Sequence, residues 1–529
     1  PTQEELKNHH YDAATEVYSV DGQLLGKYYI KDRSLIKAQH IPLHVKEALI
    51  ATEDARFYSH KGVDERSLLR VFFKSLLGGD ASAGGGSTLS QQLAKQWYPR
   101  KEFGLLSLLI NKLREMEIAS KLEKVYSIEE LITHYLNTVF LGDQSYGIET
   151  ASQRYFSKPS EQLNLEEACT LIGMLKAPTS YNPRKHPTQA RFRRNTVIRQ
   201  MQKYAYLTHS QADSLVALPL VLDYQLSSHH KGPAPYFRAY LRQYLAEWAK
   251  ENPKADGSEW NIYTDGLKVY TPLHSKLQAY AEKALQSELA TIQHTFEREL
   301  RGGAKKKLGE KIYQEKKKSI PQFQYWLNEG FTEGQVDSLM NLKRRMKLFT
   351  YEGEADTLMS LHDSILYSYF LLLAGFCAME PQSGFVRAWV GGLDHQHYQY
   401  DHVLSKRQAG SAFKPIVYAS ALDKGIDPCN FTPNEQTTYA RYGNWSPSNS
   451  DRLYGGEYSM QGALTHSVNV VAGKIVMEIG EKSVCDMARR MGIPYDLPQV
   501  PSIALGSAEI ALQDLLGAYC TIANRGKKV

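Results

Sequence analysis

Three rhythms of apolar and polar residues divide the chain. Over residues 11–35 the two kinds alternate, as in Thr15-Glu-Val-Tyr-Ser-Val, and the run breaks at Asp21-Gly22. A period of two with a turn dipeptide predicts a hairpin. From about residue 42 to 206 apolar positions recur every three to four residues, as in Val45-Lys-Glu-Ala-Leu-Ile-Ala and Glu166-Glu-Ala-Cys-Thr-Leu-Ile-Gly-Met-Leu. That spacing predicts a mainly α-helical domain. Residues 207–300 mix helix with one strand-like segment, Gly266-Leu-Lys-Val-Tyr-Thr.

Residues 301–350 are poor in apolar positions and carry Lys305-Lys-Lys, Lys316-Lys-Lys and Lys343-Arg-Arg. A nucleic-acid module would interleave aromatics with such charges, so a solvated helical insert is predicted. The apolar run Leu366 to Met379 is interrupted by polar residues and glycine, and reads as a buried strand. From residue 371 the order is strand (Ala374 to Glu380), turn (Pro381-Gln-Ser-Gly) and strand (Phe385 to Val390), with helical segments after it. An α/β domain opening on an antiparallel hairpin is expected.

Composition adds bounds. A chain of 529 residues with 42% hydrophobic and 23% charged residues is globular and long enough for two to four domains. Its formal charge of +6 is compatible with an anionic membrane surface or a phosphate-bearing substrate, and equally with ordinary surface chemistry. The cysteines (Cys169, Cys377, Cys429, Cys485, Cys520) are scattered, which speaks against a zinc site or a disulfide framework. No run approaches the roughly 20 apolar residues of a membrane span. The chain opens on Pro1 without a signal peptide, so it is either cytoplasmic or has an N-terminal anchor outside this sequence.

Three segments of the helical domain carry chemistry. In Glu53-Asp54-Ala-Arg-Phe57-Tyr-Ser-His60-Lys-Gly62, helical spacing would put a carboxylate, an aromatic and an imidazole on one face. In Gly84-Gly-Gly-Ser87-Thr88-Leu-Ser-Gln91-Gln92-Leu-Ala-Lys95, glycines open the backbone before a helix whose free N–H groups, with Lys95, suit phosphate oxygens. Lys112-Leu-Arg-Glu115 starts a charged amphipathic helix, in which Glu115 alone would pass for one rung of an exposed ion-pair ladder.

In this order the three resemble the motifs of the family 51 peptidoglycan glycosyltransferases, approximately EDxxFxxHxG, GGSTxxQQLxK and RKxxE. Tyr135-Leu-Asn137, Tyr146-Gly147-Ile148, Lys176-Ala-Pro178 and Tyr181-Asn182-Pro183 extend the likeness over roughly residues 36–206. One departure stands out: Asn111 occupies the arginine position of the third motif, and Lys112 or Arg114 would have to supply its charge. The resemblance implies a lysozyme-like fold that polymerises lipid II and releases lipid pyrophosphate. It makes Glu53 the base and Glu115 a donor-side assistant. Asp54, Phe57 and His60 would bind substrate, and Lys95 with Ser87, Thr88, Gln91 and Gln92 would hold the pyrophosphate. It requires no cofactor and leaves room for a divalent cation at the pyrophosphate. The apolar stretches 68–77 and 103–110 would dip into the bilayer at the cleft mouth.

A second constellation is Arg407-Gln-Ala-Gly-Ser411-Ala-Phe-Lys414, with Ser467-Val-Asn469 further on. Two other SxxK matches, Ser34 to Lys37 and Ser228 to Lys231, lack this context and read as coincidences. With Gly410, Phe413, Pro415 and Trp445-Ser-Pro-Ser-Asn449, the set resembles the class A penicillin-binding proteins. By that resemblance Ser411 is the acyl nucleophile and Lys414 its base, activated by burial and neighbouring positive charge. Ser467 would relay the proton, and Asn469 would bind the substrate amide. No KTG strand occurs before Val529, so the domain is expected to be incomplete.

The expected organisation is a strand segment (1–35) beside a membrane anchor, a glycosyltransferase domain (36–206), a linker region (207–370) with the basic insert, and an α/β serine transpeptidase domain (371–529). The resemblance places it in the bacterial inner membrane, held by a single N-terminal anchor outside this sequence, with the catalytic domains on the extracytoplasmic, periplasmic side. The expected partners are lipid II, the nascent glycan, β-lactams, the membrane surface and cell-wall activator or scaffold proteins, without nucleic acid. Two other readings stay open. One is a glycosyltransferase whose serine domain only binds, and the other is a lysozyme-like hydrolase with paired carboxylates.

Overall fold

A computed structural model of the chain describes residues 1–7, 9–65, 87–225, 232–300 and 303–529. The chain divides into two compact units, Pro1–Val17 with Gly26–His229 and Leu241–Val269, and Tyr18–Leu25 with His230–Tyr240 and Tyr270–Val529.

The first unit is helical, as the periodicity predicts. Helices Leu43–Glu53, Leu89–Trp97, Ser107–Val125, Ile128–Thr138, Ile148–Phe156, Leu165–Met174 and Pro187–Lys203 surround one apolar core that includes Leu49, Leu93, Leu122, Leu136, Ile172 and Ile198. Ile128–Thr138 and Leu165–Met174 each begin with a reciprocal capping box, Ser127/Glu130 and Asn164/Glu167, which satisfies donors that a bare helix start leaves open. The predicted hairpin is Thr15–Tyr18 with Leu24–Tyr28. The strand-like segment near 266 becomes Lys268–Tyr270, next to the first of these.

One glycine governs the packing around the first motif. Gly62 adopts φ +85° against helix Ser107–Val125, where a Cβ would lie 2.8 Å from the Ala119 carbonyl carbon. Its own carbonyl accepts from Thr88 Oγ1 at 2.7 Å.

In the second unit, helices Gly303–Lys316, Pro321–Asn328 and Glu333–Met340 close a small core of Tyr313, Phe323, Val336 and Met340. The basic segment is therefore more than a solvated helical insert. Lys343-Arg-Arg, moreover, opens the first strand of an antiparallel hairpin, Lys343–Thr350 with Gly353–Ser360. The run Leu366 to Met379 is not one strand either. Its first part ends helix Leu361–Phe370, and only Phe376–Met379 is extended.

Phe376–Met379 pairs antiparallel with Val386–Val390, as the strand–turn–strand reading predicts. Helix Ser275–Glu299 joins this hairpin through Gln278. Its side chain donates to Trp389 O at 2.8 Å and accepts from Trp389 N at 2.7 Å, standing in for a neighbouring strand. A second apolar core, around Phe413, Val417, Val471, Val476 and Ile503, holds the helices that follow Ser411. Among the described residues no helix is long and apolar enough to cross a membrane.

Candidate active sites

Helix Leu43–Glu53 ends at Glu53 because Asp54 leaves helical geometry at φ −154°. Glu53, Phe57 and His60 therefore do not share one helix face. Glu53 is half-buried, and its Oε2 accepts from Gln92 Nε2 at 3.1 Å; Gln92 Oε1 in turn accepts from Tyr135 OH at 2.9 Å. Burial, reinforced by the Glu53 charge, pushes the Tyr135 phenol well above its usual range, so Tyr135 acts as a fixed donor.

Asp54 turns inward. Its carboxylate accepts from Leu89 N at 3.1 Å and lies 3.0 Å from His60 Nε2, while His60 Nδ1 is 3.7 Å from Glu123. Burial alone would lower the His60 pKa, but the hydrogen bond and charge of Asp54, with Glu123 and Asp64, outweigh it and raise it. Phe57 is a core residue, 2% exposed. The side chains of Asp54, Phe57 and His60 thus brace the first motif against its neighbours, and the expected substrate contacts are not what this geometry offers them.

The phosphate strip differs from expectation in the same way. The amide of Leu89 is taken by Asp54 and that of Gln91 by Thr88 Oγ1, so those two donors of the helix start are not free. Thr88 and Gln91 are buried. Cations take their place. Lys112 Nζ donates to Ser87 Oγ at 2.7 Å and Gln91 Oε1 at 2.8 Å, and lies 3.6 Å from Glu115 Oε2. Burial lowers the Lys112 pKa, Glu115 opposes that shift, and the charges of Arg100 and Lys95 add to it. Lys95 is exposed on the same helix as Gln92.

Glu115 is 6% exposed, so it is no rung of a surface ladder; Arg100 Nε donates to its Oε1 at 2.8 Å. Of the two candidates for the charge missing at Asn111, Lys112 joins the site. Arg114 instead donates to Asn111 Oδ1 at 3.0 Å. Arg100 went unrecognised because it sits between motifs, with only the doublet Arg100-Lys101 as a signal. At the start of helix Ser107–Val125, Leu106, Leu108, Leu109 and Leu113 are 60%, 75%, 58% and 57% exposed, an apolar surface as expected of 103–110. The stretch 68–77 lies outside the described residues.

The serine site is built in the second unit. Ser411 is exposed in the short turn Gly410–Phe413, which runs into helix Lys414–Asp423. Gly410 N donates to Gly506 O at 2.9 Å, and a Cβ on Gly506 would fall 1.9 Å from Gly410 O. That contact seats the serine turn on the Pro501–Leu505 segment. Lys414 is fully buried, and its Nζ donates to Ser467 O at 2.5 Å, Ser467 Oγ at 3.0 Å and Asn469 Oδ1 at 2.7 Å. Burial lowers its pKa to about 8; the expected help from neighbouring positive charge is not among the causes.

Ser467 reaches Lys414 from a left-handed backbone, φ +53°. Asn469 is held from behind, its N donating to Asn449 Oδ1 at 3.0 Å and its Nδ2 donating to Ser448 O at 2.9 Å. One Asn469 amide hydrogen stays available for a substrate carbonyl. Of the two decoys, Ser34 is buried and donates to Glu16 Oε1, and Ser228 to Lys231 lie outside the described residues.

Comparison with known proteins agrees with the division into two modules. Residues 21–202 match the transglycosylase family, 303–372 the penicillin-binding protein middle domain and 374–529 the penicillin-binding protein transpeptidase domain. The chain belongs to the class A penicillin-binding proteins, which carry the glycosyltransferase and transpeptidase modules of peptidoglycan synthesis on one polypeptide. Among similar curated proteins is penicillin-binding protein 1A of Rickettsia felis, 29% identical over 100% of this chain and 69% of its own length. That of Vibrio cholerae is 30% identical over 97% and 66%, and that of Escherichia coli K12 28% over 98% and 64%. The chain thus spans about two thirds of the length of these relatives. The solved structure of penicillin-binding protein 1A from Haemophilus influenzae overlays with a TM-score of 0.49 at 19% identity, covering 98% of this chain and 72% of that one.

Proposed function

We propose that the first unit polymerises lipid II, with Glu53 as the base that takes the proton from the acceptor's 4-hydroxyl. A half-buried carboxylate fixed by one amide keeps an oxygen free for a substrate hydroxyl, which is what general-base catalysis needs. Lys95 and Lys112 would neutralise the departing pyrophosphate, with Glu115 ordering the cations between them. On this reading any divalent cation arrives with the pyrophosphate, because the protein's part is played by side-chain cations. The exposed leucines beside Glu115 would rest on the extracytoplasmic face of the bacterial inner membrane, which delivers the lipid donor. In the second unit Lys414 would deprotonate Ser411, which attacks the stem-peptide carbonyl or a β-lactam; Ser467 would pass the proton to the leaving group.

The observation that carries the polymerase reading is the excess of cations around a buried Glu115, joined through Gln91 to the helix whose Gln92 holds Glu53. A hydrolase would have no pyrophosphate to receive there. The test is Glu53→Gln, a neutral side chain of the same size. It should abolish glycan polymer formation from lipid II and leave the melting curve in place. Polymer formed at near wild-type rate would remove Glu53 from the role of base.

A further inference from the structure

Glu53 leans on two side chains that lead back into the core. Gln92 comes from helix Leu89–Trp97 and Tyr135 from helix Ile128–Thr138. The two helices are tied a second time where Trp97 Nε1 donates to Thr138 Oγ1 at 3.1 Å, so their register is set at both ends of the contact. Tyr135 is 2% exposed, and among the described residues its hydroxyl makes one hydrogen bond, the 2.9 Å donation to Gln92 Oε1.

That bond decides which way Gln92 faces. A carboxamide has nearly the same shape in its two orientations, and only its partners choose between them. The buried phenol has no other acceptor among the described residues, so the Gln92 carbonyl must turn towards it. The amide hydrogens are then left pointing at Glu53 Oε2, 3.1 Å away. The reverse orientation would set a carbonyl oxygen against the carboxylate. With Oε2 engaged, Oε1 is the oxygen left for a substrate hydroxyl.

We propose that Tyr135 is a positioning residue for the base: its hydroxyl fixes the polarity of Gln92, and Gln92 in turn orients the Glu53 carboxylate. The inference rests on the reading of Glu53 as the base. A donor set by a core tyrosine does not drift with substrate or solvent, which suits a group that must take up a proton in every cycle.

The test is the pH dependence of lipid II polymerisation by Tyr135→Phe, which removes the hydroxyl and keeps the ring. Its kcat should fall about tenfold with KM within about twofold of wild type. The acid limb of the kcat profile should move to higher pH by about one pH unit, because the ionised carboxylate loses the support of its donor. Mere loosening of the fold would lower the melting temperature and leave that limb in place. In a Gln92→Met background the same replacement should change the profile no further, because the hydroxyl acts through Gln92. Should Tyr135→Phe not fold, Gln92→Met by itself must move the limb. An unmoved limb, or equal losses of kcat with and without Gln92, overturns the proposal. Glu53→Gln separates it from the reading beneath. An acid limb that persists in Glu53→Gln removes the base, whereas one lost there yet unmoved in Tyr135→Phe removes only the role of Tyr135.

Discussion

Replacing Asp54 with asparagine should destabilise the glycosyltransferase unit in acid far more than in alkali. The substitution keeps the shape and removes the charge that faces His60 Nε2 at 3.0 Å and caps Leu89 N at 3.1 Å. His60 is 7% exposed, and its pKa is raised above 6.5 only because Asp54, with Glu123 and Asp64, outweighs burial. A raised histidine pKa stabilises the fold fully below 6.5, and that contribution fades as pH climbs through the raised value. Without Asp54 the charged imidazole is left buried, and breaking such a pair costs about 3 kcal/mol. Above the His60 transition the imidazole is neutral. What is lost there is the charge on one helix cap, about 1 kcal/mol and less if the asparagine oxygen still accepts. For a unit of this size those losses correspond to roughly 6–12 °C and 2–4 °C in melting temperature. Thermal melts of both proteins at pH 5.5 and pH 9, with hydrogen exchange across residues 88–97, would measure the difference. Equal shifts at the two pH values would refute the latch.

Other expectations follow from the same geometry. Lys95→Ala should weaken binding of a phosphoglycolipid donor mimic more than Glu115→Gln does, because an exposed lysine acts in ground-state contact; equal affinities would reverse that assignment. Acyl transfer to Ser411 should climb with pH around a midpoint of about 8 as Lys414 sheds its proton, and a flat rate from pH 6 to 9 would rule out Lys414 as base. Burying each exposed leucine is worth roughly 1.5–3 kcal/mol, so Leu108→Asp with Leu109→Asp should weaken binding to anionic vesicles at least about tenfold; unchanged binding would detach this surface from the membrane.

Candidate chemistry was easier to pick out in the sequence than the residues that support it. Glu53, Glu115, Lys95, Ser411 and Lys414 stood out as candidates because each lies in an ordered motif whose residue types suit one reaction. Glu53, Phe57 and His60 were placed on one face by assuming that the helix runs on past Glu53, whereas it breaks at Asp54, and Asp54, Phe57 and His60 turn inward. Thr88 hid its role for a related reason, since a hydroxyl after glycines suits a phosphate and a helix cap equally well. Lys343 to Thr350 escaped recognition as a strand because both faces of its first half are exposed, which erases the alternation that marks one. Leu366 to Met379 erred the other way: a short apolar run carries no period, and a helix end joined to a strand looks the same as one buried strand.

Gly62 behaves as a spacer of zero thickness. It lets the segment leaving Glu53 lie directly on the backbone of the helix that carries Glu115, at a point where even a methyl group would strike the Ala119 carbonyl carbon. A side chain there would have to wedge the two apart, and the wedge would act on the distance between a base and a leaving-group site rather than on either group. Catalysis is sensitive to displacements on the order of 1 Å, whereas a fold of this size can absorb such a shift for modest cost. Variants at Gly62 could therefore pass every screen for expression and melting and still make little polymer. The final glycine of the first motif records a tolerance, as a machinist would use the word, that no inventory of catalytic side chains contains.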